Sequence, residues 1–227
     1  MMPKVSVLLC HRNMRHLVQT AIDCYLNQDW TGGKELIVVD DGEQFIGGTV
    51  RDVPNCLYLN FEAQNLSQKR NLGAREASGE YIVHFDADDW SGPHRVTDQV
   101  ELMLANPTKN LGGYGQALWY DFVHGKASYY HGTAWGATLI YKREYALAHP
   151  WDEGCSFAED SLFMRHARDH ETIVCSDGKD NFVATMHSQN AHRWHAGTSQ
   201  GWPFIEIDDL PEGFRRAANL QVEMAVK

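Results

Sequence analysis

Tyr81-Ile82-Val83-His84-Phe85-Asp86-Ala87-Asp88-Asp89-Trp90 is the stretch that decides the fold. Tyr81 to Phe85 is a β-branched and aromatic run bounded upstream by Ser78-Gly79, the pattern of a buried strand. Three acidic residues follow within four positions, and Gly92-Pro93 then opens a helix. Side chains alternate across a strand, so Asp86 and Asp88 are expected to leave on the same side. Two carboxylates that close repel each other unless a cation or a shared proton lies between them. Ligands of open α/β sheets bind beyond the carboxyl ends of the strands. The acidic pair therefore reads as the seat of a divalent ion that prefers hard oxygen ligands, Mg²⁺ or Mn²⁺. An acidic turn that only caps the next helix would use the same residues, so the flanking chain has to decide.

Upstream, Lys4 to Leu9 reads as a first buried strand, and Leu17, Ala21, Ile22, Tyr25 and Leu26 recur at helical spacing. Glu35 to Val39 is a second strand closing on Asp40-Asp41-Gly42, Cys56 to Phe61 a third, and Leu66 to Ala77 a helix carrying Lys69, Arg70 and Arg75. Downstream, a helix is expected from Pro93, a residue tolerated in a first turn, with Val96, Val100, Met103 and Leu104 inward. This order implies a mainly parallel sheet covered by helices on both faces. After Asn106-Pro107 the texture changes. Leu111 to Tyr130, broken at His124-Gly125-Lys126, reads as an antiparallel hairpin, and Thr138 to Tyr141 as a further strand. Ser156-Phe157-Ala158-Glu159 matches a capping box, which puts Asp160 in the first turn of a helix burying Leu162, Phe163 and Ala167. Phe182 to Met186 is a late strand that runs into His187, His192 and His195. No linker interrupts the chain, so residues 1–227 read as one domain, with a nucleotide half over 1–105 and an elaborated second half over 106–227.

At 227 residues, with 43% hydrophobic and 22% charged content, the composition is that of an ordinary globular protein with a substantial core. The formal net charge of −10 argues against a sequence-blind grip on nucleic acid or anionic membrane. Any phosphate site must be a local basic patch or a metal. Five scattered cysteines, odd in number and without C-x-x-C spacing, suit a reducing cytoplasm. No apolar run has the length of a membrane span, and Met1-Met2-Pro3-Lys4 enters a strand without room for a signal peptide.

The motif order resembles the family 2 glycosyltransferases of the GT-A fold. Cys10-His11-Arg12-Asn13 after the first strand is similar to that family's opening loop, and Leu36 to Gly42 to its second strand. Asn65 to Gly73 resembles the segment usually written Ala-Arg-Asn-x-Gly, with Lys69 in the alanine position. Phe85 to Asp89 resembles the D-x-D strand, and Ala158-Glu159-Asp160 the Glu-Asp pair near the acceptor. The likeness is dense over roughly residues 4–105 and thins afterwards.

It implies a Rossmann-like, mostly parallel sheet with a small antiparallel addition. It also implies a metal-dependent inverting enzyme of the hexosyltransferase type using a nucleotide diphosphate sugar, with uridine the expected base, and a carbohydrate or other hydroxyl acceptor. Asp86 would contact the ribose or the metal, and Asp88 would ligate the metal directly. Asp41 would accept from the base edge, Cys10 would line that pocket, and Arg70 with Lys69 would lie near base or phosphates. A turn aspartate at Asp41 and a solvated helix face at Lys69 and Arg70 are the plainer alternatives. His187 fits best as a further metal ligand, with His192 and His195 as competitors. Asp160 would be the general base, its ionised form favoured by a helix N-terminus, with Glu159 occupied by the capping box.

Three other classes compete with this reading. A haloacid dehalogenase-type phosphatase also has a D-x-D strand, but usually places Thr or Val where Trp90 stands. A zinc hydrolase built on His187, His192 and His195 lacks an H-E-x-x-H helix. A sugar-binding module could use Trp119, Tyr120, Tyr129, Tyr130 and Trp135, but has no need of a base such as Asp160.

Overall fold

A computed structural model describes residues 1–225 apart from 44, 64, 156, 189 and 191–201, and for 219–225 the backbone alone. The first half alternates strands and helices: β1 (Val5–His11), α1 (Arg15–Leu26), β2 (Lys34–Asp40), α2 (Gly47–Val50), β3 (Cys56–Asn60), α3 (Leu66–Glu76) and β4 (Tyr81–Asp86). Next come β5 (Trp90–Ser91), α4 (Arg95–Ala105), β6 (Leu111–Asp121), β7 (Lys126–His131) and β8 (Leu139–Lys142). α5 (Arg143–Ala148), α6 (Glu159–Asp169), β9 (Ile173–Asp177), β10 (Phe182–Met186), β11 (Phe204–Ile205) and α7 (Glu212–Ala225) complete the order.

Among the described residues all eleven strands join one sheet: eight run in the order β11-β7-β6-β8-β4-β1-β2-β3, while β9 and β10 pair with β6 off this path and β5 pairs with β10. β3, β2, β1 and β4 are mutually parallel, and the direction reverses where β4 meets β8. The expected parallel sheet and antiparallel addition are thus two parts of a single sheet. Both faces of β1 are buried. Val5, Val7 and Leu9 pack with Val18, Ile22 and Phe85 on one side, and Leu8 packs with Ile82, Tyr141, Trp151 and Phe163 on the other. That is why the parallel strands read as continuous apolar runs. Among the described residues no helix is long and apolar enough to cross a membrane.

Three local expectations are corrected. α4 starts at Arg95 with His94 at its cap, so Pro93 precedes the helix rather than occupying its first turn. Leu104 is 49% exposed while Val96, Val100 and Met103 are buried, because the inward stripe closes one residue earlier. α6 starts at Glu159 behind Ala158, which has a left-handed φ of 55° and makes no side-chain cap bond. The proposed cap residue Ser156 lies outside the described residues.

Glu35 fastens the three central parallel strands at their amino ends. Its carboxylate accepts hydrogen bonds from Lys4 Nζ (2.7 Å), Ser6 Oγ (2.6 Å), and the Ser78 amide and hydroxyl (2.7 Å each). Burial pushes this carboxyl up, but the hydrogen bonds from Lys4, Ser6 and Ser78 outweigh it and hold it at about 2. A carboxyl held low stabilises the fold above its ordinary pKa and loses that stabilisation as pH falls through about 2. Glu35→Gln is expected to cost about 1–2 kcal/mol at pH 7, a figure reduced because this network is partly solvated. Denaturant melts should show the gap between variant and wild type closing as pH approaches 2. A gap that stays constant with pH would mean the carboxylate's charge plays no part.

Candidate active site

The parallel register sets Cys10 beside Asp86 and His11 beside Asp40, so the carboxyl ends of β1, β2 and β4 form one edge. Asp40 is fully buried there. Its Oδ1 accepts from His11 Nδ1 (2.9 Å) and the Gly42 amide (3.0 Å), and its Oδ2 from the Tyr58 hydroxyl (2.6 Å). Asp41 faces α3. Lys69 Nζ donates to Asp41 Oδ1 at 2.6 Å and to the His11 carbonyl at 3.2 Å, while Arg12 stands 3.7 Å from Asp41 Oδ2. Lys69 and Arg70 are both buried, so the solvated-face alternative fails for them.

Arg70 leads from α3 to α6. Its guanidinium lies 4.2 Å from the Trp151 ring centre, and Nη1 donates to Glu159 Oε1 at 2.9 Å. Glu159 therefore engages a cation on another helix, not the cap role expected of it. Asp160 does sit in the first turn. Its Oδ1 accepts from the Ser161 amide (2.7 Å) and its Oδ2 from the Gly136 amide (3.0 Å), in a short 3₁₀ turn over Gly136–Thr138.

The acidic cluster follows β4. Burial pushes Asp86 up to about 6; Arg70 pulls it down and Asp88 pushes it up. Burial, then Asp88 and Asp86, also raise Asp89 well above the carboxylate range, while the Thr185 amide donates to its Oδ1 at 2.8 Å. Asp88 Oδ2 lies 3.2 Å from His187 Nε2 and accepts from Asn190 Nδ2 at 2.8 Å. The end of β10 thus brings His187 to the D-x-D turn from 99 residues away. His192 and His195 lie outside the described residues.

Among the described residues no three His, Cys, Asp or Glu side chains are gathered so as to hold a metal by themselves. The donors present still suit a divalent ion. Magnesium-type sites commonly use one or two carboxylates and draw their other ligands from water and substrate phosphates. A buried carboxyl raised by its acidic neighbour is relieved by a cation. Cys10 is half-buried, and its thiol is pushed up to about 11 by burial against the pull of Lys69 and Arg70, so it lines the site in the protonated form.

Sequence reasoning missed Asn190 on Asp88, Trp151 under Arg70, Glu159 as Arg70's partner, and Gly136 at Asp160. Only Asn190 carried a signal, its place three residues after His187. A recess of about 470 Å³ lined by His149, Asp152, His166 and Asp169 lies against α5 and α6 and contains none of the strand-end acids. The chemistry, not the depth of the recess, locates the site.

A parallel set of strands that reverses direction beside an acidic strand is the architecture of the GT-A glycosyltransferases. S. aureus TarS 1-349, solved with UDP, superposes with a TM-score of 0.66 at 18% identity, over 81% of this chain and 60% of that one. The mannosyltransferase PcManGT from Pyrobaculum calidifontis, solved with GDP-Man and Mn²⁺, gives 0.60 at 18% identity, over 82% and 57%. An uncharacterized glycosyltransferase of Haemophilus influenzae is 29% identical over 111 residues, 46% of this chain and 44% of that protein. The chain thus spans less than half of that relative. Residues 6–168 match glycosyl transferase family 2, and the chain belongs to that family. The phosphatase and zinc hydrolase readings end here.

Proposed function

We propose that this protein is an inverting, metal-dependent glycosyltransferase that moves a sugar from a nucleotide diphosphate sugar, uridine-based, to an acceptor hydroxyl. The observation that carries the reading is Asp88 meeting His187 at 3.2 Å beside the half-buried Asp86. Asp86, Asp88 and His187 would hold Mn²⁺ or Mg²⁺, which when bound neutralises negative charge on the departing diphosphate. The Asp41–Lys69 pair offers an acceptor and a donor to a base edge, beside the Cys10 thiol. Arg70, lying between Asp86 and Glu159, adds positive charge where the donor's phosphates would lie. Asp160 takes the proton of the attacking hydroxyl, held in place by two backbone amides. Both halves act as one domain on the shared sheet. Five unpaired cysteines support a cytoplasmic setting.

Asp88→Asn removes one unit of charge with little change of shape. Titration calorimetry should show UDP binding in Mn²⁺ weakened at least tenfold, about 1.4 kcal/mol. Unchanged binding in the variant, or wild-type affinity that survives a chelator, would reject the metal assignment.

A further inference from the structure

The turn that touches Asp160 is held from below by three buried side chains. The carbonyls of Gly136, Ala137 and Thr138 accept in succession from His84 Nδ1 (3.0 Å), Arg95 Nη2 (2.5 Å) and Gln99 Nε2 (2.6 Å). His84 is 2% exposed, and Arg95 and Gln99 are fully buried. Arg95 Nη2 also donates to the His84 carbonyl at 2.6 Å, which joins β4 to the turn. On its other side the turn presents the Gly136 amide to Asp160 Oδ2. A Cβ at position 136 would lie 3.0 Å from Arg70 Nη2 and 3.5 Å from Asp160 Cβ. The missing side chain gives room for the close approach of Arg70, while Asp160 would meet a Cβ only at ordinary contact distance.

The chemistry of His84 fixes its ring. A carbonyl oxygen only accepts, so Nδ1 must carry the hydrogen. Nε2 is then the acceptor for the Tyr141 hydroxyl at 2.7 Å. A charged ring would lose that acceptor and would stand near the two cations Arg70 and Arg95. His84 lies two residues before Asp86 on the same strand.

We propose that His84 is a positioning residue for the transfer step: by fixing the Gly136 carbonyl it holds that residue's backbone, and with it the amide on the other side of the Gly136 Cα that orients the Asp160 carboxylate, and so ties the acidic strand to the base. The proposal rests on the reading of Asp160 as general base. A misplacement of about 1 Å in such a group can cost roughly 10²-fold in rate.

The test compares His84→Leu with His84→Asn, whose amide can still donate to the Gly136 carbonyl. The probe reaction is release of uridine diphosphate from UDP-N-acetylglucosamine in Mn²⁺, with water as acceptor. Expected is a fall of roughly 10–100-fold in turnover for His84→Leu, with recovery to within about threefold in His84→Asn. Calorimetric UDP affinity should stay within about twofold in both, since neither variant touches the donor site. The Gly136 amide resonance should move in His84→Leu, return toward wild type in His84→Asn, and move in Asp160→Asn.

Equal losses in the two His84 variants, a loss carried by UDP affinity, or a Gly136 amide unmoved in His84→Leu would overturn the proposal. An Asp160→Asn variant with wild-type turnover would overturn the base reading itself. An inactive Asp160→Asn beside an unimpaired His84→Leu would overturn only the role of His84. If wild type releases no diphosphate from this donor, the Gly136 amide still decides whether His84 sets the backbone at that residue.

Discussion

Asp160→Asn is expected to lower turnover by roughly 10²–10⁴-fold, about 2.7–5.5 kcal/mol in the barrier, while UDP and Mn²⁺ binding stay intact. The amide side chain keeps one oxygen, so one of the Gly136 and Ser161 amides keeps its acceptor while the other loses it. What disappears is the ability to take a proton from the attacking hydroxyl. Glu159→Gln is the informative companion. Glu159 accepts from Arg70, so its loss should act through that cation and appear in donor affinity as well as in rate. Near-normal turnover in Asp160→Asn together with an inactive Glu159→Gln would move the base one residue back. Retained turnover in both would take α6 out of the chemistry.

Trp151→Ala should be the most damaging single substitution for stability among those considered, costing about 3–5 kcal/mol. The indole is 1% exposed and stacks on Phe163 at 4.0 Å with 6° between planes. It also lies against His84 at 5.4 Å and beneath the Arg70 guanidinium at 4.2 Å. Its backbone exchanges two 2.9 Å hydrogen bonds with the Asn71 side chain, which pin this segment to α3. Alanine would leave a cavity against two aromatic rings and strip a buried cation of its π face. Chemical denaturation measures the loss directly. A cost below about 1.5 kcal/mol would mean that the neighbours close over the gap and that the stack does not support Arg70.

The strands and helices that position the site were legible because their residues bury one or both faces in regular repeats. The meeting of His187 with the D-x-D turn was legible only through the family resemblance, which expects a histidine after a late strand, the place His187 holds after Phe182–Met186. Lys69 and Arg70 were ambiguous for a physical reason. Helical periodicity assigns charged residues to solvent, and their partners Asp41 and Glu159 lie 28 and 89 residues away. The cap of α6 was misread because Ala158 reaches a left-handed conformation that no side chain at that position announces. Trp90–Ser91, Arg143–Ala148 and Ile173–Asp177 went unread: each is short, and each is placed by its neighbours, not by its own periodicity. The clamp of His84, Arg95 and Gln99 on consecutive carbonyls had no local signal at all, because it pairs side chains with backbone across 39 to 52 residues.

The seam between β4 and β8 also bears on how the chain folds. β4 finds its parallel neighbour β1 early in the chain, but its other edge waits for Leu139–Lys142, matched as Tyr81 to Lys142, Ile82 to Tyr141 and Val83 to Ile140. Pairings this far apart in sequence are slow to form, since loop closure must precede any contact that rewards it. During synthesis, a nascent chain that has not yet emerged past Lys142 carries an apolar strand with one open edge, a template for pairing with other chains. The strand that bears the acidic pair is therefore the vulnerable one while the chain is still on the ribosome.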